Sequence, residues 1–128
     1  MASEERREGT AAPASHELFR EVRRLLASQA YDQVIDRLDV HRPAEWAVLT
    51  APNARILRLL AQAYLGSNEL AQARDCLEQL RTGQQEQGLL GRQDYAAALS
   101  DLVKCYRGLG RSDLADSCQE EARRVLQG

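Results

Sequence analysis

Aromatic residues are scarce in this chain: they make up 5% of its 128 residues, with one tryptophan and one phenylalanine. Few stacking side chains, acids interspersed with bases and a net charge of −2 together argue against nucleic acid as a partner. Long apolar runs are also missing. No stretch approaches the roughly 18 uninterrupted apolar residues of a membrane span, and the N-terminal MASEERREGTAAPAS lacks the apolar run of a secretory signal. Cysteines number three, an odd count without framework spacing, which points to a reducing compartment, cytoplasmic or nuclear. No CxxC or Cys/His spacing supports a metal site. His16 and His41 lie far apart in sequence with no nucleophile beside them, and no glycine-rich phosphate loop follows a strand. No enzyme activity and no cofactor are expected.

What is abundant is Ala, Leu, Gln, Arg and Glu, side chains that lose little rotamer freedom in a helix. Residues 1–15 read as a disordered leader and 16–127 as one helical domain. Ser15 is the expected N-cap of a first helix with Leu18, Val22, Leu25 and Leu26 at helical spacing; Ser28-Gln29-Ala30 breaks it before a second with Tyr31, Val34, Ile35 and Leu38. Pro43 and Pro52 bracket a connector. A third helix, about 53–65, is apolar almost all round, so it belongs in the middle of the molecule. Gly66-Ser67-Asn68 ends it, and a fourth helix follows over about 69–84. Residues 83–92, polar and broken by glycine, read as a loop. A fifth helix runs from about Gln93 to Gly108, and Ser112 is expected to cap a sixth reaching Leu126. Cys76, Cys105 and Cys118 fall on apolar helical positions and read as small core residues.

Residues 59–80 and 102–122 repeat one another. Leu60, Tyr64, Gly66, Ala73, Cys76 and Glu78 recur as Leu102, Tyr106, Gly108, Ala115, Cys118 and Glu120, always 42 positions on. Three helix–turn–helix units result, about 16–42, 53–82 and 93–127. Each alone leaves an apolar face wet, and stacking them buries the faces together.

These residues resemble a tetratricopeptide repeat domain. The second unit offers Leu57, Leu60-Ala61, Tyr64, Ala73 and Leu77 to the family's pattern; the third offers Leu99, Leu102-Val103, Tyr106 and Ala115, with Gln119 where a large apolar residue is wanted. The first unit departs further, with Glu21 in place of Leu and Val34 in place of Ala. Spacings of about 39 and 42 exceed the family's 34, which insertions in the connectors would explain. The resemblance implies an all-α, right-handed solenoid of six main helices whose first helices line a concave face. It implies a scaffold or adaptor that binds another protein.

Opposite their packing residues the first helices carry Arg20 and Arg23, then Arg55, Arg58 and Gln62, then Ser100, Asp101, Lys104 and Arg107. Six of these nine are basic, so a groove for an acidic or phosphorylated segment is expected; the bland reading is a solvated face, with long stems that snorkel. Leu59 and Asp101 stand where some family members need Asn and a cation to grip a chaperone-tail carboxylate, so that ligand is not expected. Trp46, in the connector, is either a packed plug or an exposed partner anchor, and Leu89-Leu90 poses the same choice. Self-association is the alternative: Phe19 and Ile35 at one end would be covered by a homodimer or by the rest of a longer chain.

Overall fold

A computed structural model describes residues 15–128, so all but the last residue of the leader expected over 1–15 lies outside the described residues. Six helices follow one another with no strand among those residues: α1 (His16–Ala27), α2 (Tyr31–Asp39), α3 (Ala51–Gly66), α4 (Leu70–Gln87), α5 (Arg92–Gly108) and α6 (Ser112–Gln127).

The helices are joined in pairs by one turn used three times. Ser28, Ser67 and Leu109 end α1, α3 and α5; the next residues, Gln29, Asn68 and Gly110, take left-handed backbones with φ of 62°, 62° and 78°. The residue after each donates its N–H five positions back: Ala30 to the Leu25 carbonyl (2.9 Å), Glu69 to Tyr64 (2.8 Å) and Arg111 to Tyr106 (2.8 Å). This closes carbonyls that a helix end leaves unsatisfied. The first pair, the weakest in sequence, makes the same turn as the others. Its αL residue is Gln29, where the glycine or asparagine that marks such a turn is absent.

A second contact repeats between the pairs. The ring of Tyr31, at the start of α2, lies against Gly66 at the end of α3; a β-carbon there would fall 2.3 Å from Tyr31 Cζ. Leu70, at the start of α4, lies likewise against Gly108 at the end of α5, its Cδ1 2.3 Å from where a β-carbon would be. Helices α3 and α5 thus each end in a notch filled by the even helix of the preceding pair.

The core is continuous along the chain, from Phe19, Val22 and Leu38 through Leu57, Leu60, Leu77 and Leu80 to Leu99, Leu102 and Cys118. Helix α3 buries residues on nearly every side, as its sequence requires. Cys76, Cys105 and Cys118 are buried, and burial pushes the first two thiols up to about 11. Phe19 is buried at 4% exposure and Ile35 half-buried, so the α1 end does not present them as an open apolar face. Leu89 and Leu90 are half-buried and pack against the core.

Three boundaries differ from the sequence reading. Helix α3 begins at Ala51, with Pro52 inside its first turn, where a missing N–H has no partner to lose, and Thr50 capping the Asn53 N–H at 3.3 Å. Helix α4 runs through Gly83 to Gln87, leaving only 88–91 as a loop. Gly83 stays helical because Leu49 packs on it, with Cδ1 2.4 Å from where a β-carbon would be. Ser112 is the first residue of α6 rather than its cap; Arg111 precedes the helix and no side chain caps it.

Candidate protein-binding surface

One set of side-chain contacts links α1 with α3 and α3 with α5, and another links α4, α5 and α6. Arg55 of α3 lies over the Phe19 ring of α1, its guanidinium carbon 4.1 Å from the ring centroid, and Arg58 of α3 reaches Asp94 of α5 at 3.8 Å. On the other side, Arg81 of α4 binds Glu121 of α6 at 2.6 Å. The Tyr95 hydroxyl of α5 donates to the same carboxylate at 2.6 Å, and Tyr106 of α5 donates to Glu78 of α4. Burial alone would raise the Glu121 carboxyl, but the donors Tyr95 and Arg81 outweigh it and hold the group below the usual range. This polar belt joins α4, α5 and α6.

The basic residues expected to form a stripe on the odd helices have unequal surroundings. Arg20 and Arg23 are exposed on α1, and no carboxylate pairs with either among the described residues. Arg55 is exposed with its guanidinium laid over the Phe19 ring, an arrangement worth about 0.5–1 kcal/mol. Arg58 is turned inward: only 22% of its side chain is exposed, its Nη1 faces Asp94, and its Nε is buried without a hydrogen-bond partner. Gln62 is exposed one turn further along α3. Lys104 lies 3.7 Å from Asp101 on its own helix. Burial pushes the Asp101 carboxyl above its usual range, with Lys104 and Arg58 opposing the rise. Arg107 donates to Gln119 at 2.8 Å and lies 3.7 Å from Asp116, both on α6.

The α5 end of the stripe is therefore matched by nearby acids, Asp94 and Asp101 of α5 and Asp116 of α6. Surplus positive charge collects on α1 and the start of α3. There, a cleft of about 320 Å³ opens between the two helices, lined by His16, Phe19, Ala51, Pro52 and Arg55. Sequence reasoning took Arg55 from this cleft and passed over the rest. The available signal was the three-residue spacing of His16 with Phe19 and of Pro52 with Arg55, which puts each pair on one helical face.

Trp46 belongs to a different neighbourhood. It is 74% exposed, so it is not a plug beneath its connector. The connector lies on α4: the Gln79 carboxamide donates to the Pro43 and Ala44 carbonyls at 3.1 Å each, and Arg42 donates to Gln79 Oε1 at 3.4 Å. The residues flanking Trp46, Glu45 and Ala47, line a groove with Asp75, Glu78 and Glu86 of α4. Carboxylates line the groove beside the Trp46 connector, and none of the arginines of the stripe does.

No helix among the described residues is long and apolar enough to cross a membrane. No protein-family model, curated protein or solved structure matches this chain.

Proposed function

We propose that this chain is a right-handed solenoid of three tetratricopeptide-like units that works without catalysis as a scaffold or adaptor in the cytosol or nucleus. It binds an acidic or phosphorylated segment of another protein across the odd helices. The turn repeated at Gln29, Asn68 and Gly110, and the notch repeated at Gly66 and Gly108, support the three-unit reading. One observation carries the binding reading: Arg20 and Arg23 are exposed without a carboxylate partner on the helix whose His16 and Phe19 line the α1–α3 cleft. Arginine offers carboxylate or phosphate two parallel hydrogen bonds, and Arg55 is already held in place by the Phe19 ring. Arg58, Lys104 and Arg107 contribute less, because Asp94, Asp101 and Asp116 partly satisfy them.

The test is capture from cell extract by the wild type and by Arg20→Glu/Arg23→Glu, read by mass spectrometry, with circular dichroism confirming that both are folded. Proteins with acidic segments should be lost from the variant alone, and identical captured sets refute the reading. Self-association is the alternative. With Phe19 buried it has less apolar surface to draw on at the α1 end, and a monomer mass that stays constant with concentration in light scattering sets it aside.

A further inference from the structure

The described residues leave five large hydrophobic side chains exposed, and three of them fall within nine consecutive positions: Val40 at 69%, Trp46 at 74% and Val48 at 77%. Loose packing does not explain them. The strap that carries them is anchored at both ends. At one end Pro43 is buried and the Gln79 carboxamide holds the Pro43 and Ala44 carbonyls. At the other, Leu49 is buried on Gly83, and the Gln87 carboxamide, oriented to satisfy both groups, donates to the Leu49 carbonyl at 2.8 Å and accepts its N–H at 3.2 Å. Between the strap and α4 is a groove of about 300 Å³ with Ala47, Leu49 and Gly83 among its lining. Four carboxylates line it, Glu45, Asp75, Glu78 and Glu86, and no Lys or Arg does. Glu78 is engaged by Tyr106 and Arg81, and Asp75 by Arg74 at 3.0 Å. Glu45 and Glu86 have no cationic partner among the described residues.

We infer that this strap and the groove beside it form a second docking surface, for a cationic segment of another protein that carries apolar side chains between its Lys or Arg residues. The apolar side chains would cover Trp46 and Val48, and the cations would meet Glu45 and Glu86. Tryptophan recurs at interface hot spots because it buries much area at little entropy cost, and a strap already fixed in place loses little further freedom on binding. The charge sign selects the partner: acidic segments, which suit the α1–α3 cleft, are repelled here, as are anionic lipid headgroups. The two surfaces would let one small chain hold two partners of opposite charge.

Trp46 is the only tryptophan in the chain, so its emission reports this surface directly. The probe is the tryptophan-free synthetic peptide KKLAKLLKKLAK, compared with EELAELLEELAE. The lysine peptide should shift Trp46 emission to the blue, saturably and less strongly at high salt, and the glutamate peptide should not. Glu45→Lys/Glu86→Lys changes only exposed side chains and should weaken the lysine peptide by about 10-fold or more with unchanged circular dichroism. Arg20→Glu/Arg23→Glu should leave this binding intact, so failure of one surface is distinguishable from failure of the other. The inference is overturned by no saturable shift up to about 1 mM peptide, by equal binding of the glutamate peptide, or by unchanged affinity in Glu45→Lys/Glu86→Lys. A blue shift of the protein alone on concentration also overturns it, because the surface would then belong to a second copy.

Discussion

Gly66→Ala tests the stacking of the first pair of helices on the second. Alanine in place of glycine normally favours a helix by up to about 1 kcal/mol, and less at a terminal residue such as this one. Here the new methyl would fall 2.3 to 2.6 Å from three atoms of the Tyr31 ring, well inside van der Waals contact. The ring cannot bend; it must swing away as a body and lose its packing on α3. Overpacking of this kind costs about 1–3 kcal/mol. After the propensity gain, a net loss of about 1.5 kcal/mol is expected, visible as a fall of several degrees in Tm by circular dichroism. Gly108→Ala is the internal control. Its obstacle is Leu70 Cδ1, the tip of a side chain that can change rotamer, so its cost should stay within about 0.5 kcal/mol. A double-mutant cycle completes the argument: in a Tyr31→Ala background, Gly66→Ala should become neutral or stabilising. If Gly66→Ala is harmless with Tyr31 present, or equally costly without it, the notch does not couple the pairs.

Two further perturbations address the α4–α5–α6 belt and the pH limits of the fold. Arg81→Met removes the cation that binds Glu121 and leaves that carboxylate, 16% exposed, with the Tyr95 hydroxyl as its donor; the urea midpoint should fall by the equivalent of about 1–2 kcal/mol, and an unchanged midpoint would show the belt to be dispensable. Titration should narrow stability at both extremes. The lowered Glu121 carboxyl stabilises the fold above its ordinary value of 4.5, and that contribution is lost as pH falls below it. The Cys76 and Cys105 thiols, raised from 9.0 to about 11, stabilise the fold below pH 9 and lose that effect between 9 and 11. Tyr64, Tyr95 and Tyr106, all raised by burial first, lose theirs above pH 10. Urea midpoints that stay flat from pH 8 to about 11 would contradict the alkaline limb.

The helices and the core were legible because both follow from periodicity: Leu60 and Leu102, or Cys76 and Cys118, can only face inward at their spacing. The first turn was legible as a break, though not as the equal of the other two, because Gln29 carries none of the chemistry of Asn68 or Gly110. At Gly83 a contact between distant segments overrode a local preference, whereas at Pro52 the miss was local. Gly83 reads as a helix breaker until Leu49 is seen packed on it, and Pro52 reads as a boundary although a helix accepts it in its first turn. The arginine stripe was drawn one helix at a time, but Asp94 and Asp116 answer Arg58 and Arg107 from other helices, and no spacing rule on a single helix reveals that. The acidic groove beside the Trp46 connector was invisible for the same reason: Asp75 and Glu86, which line it with Glu45 and Ala47, are far from them in sequence.

The 39-residue spacing of the first two turns aligns residues 40–48 with 79–87. In the second unit those positions are the last two turns of α4; in the first they are the strap. Helix α2 stops at Asp39, where the Arg42 N–H already bonds back to the Asp39 carbonyl at 3.2 Å. Pro43 has no N–H to give that same carbonyl, so the helix cannot continue. Val40, Trp46 and Val48 stand where α4 has Gln79, Gln85 and Gln87. The strap thus uses no added chain. It occupies the positions that in the next helix pair are the second half of α4, and Pro43 at its start removes the N–H that a continued α2 would need there.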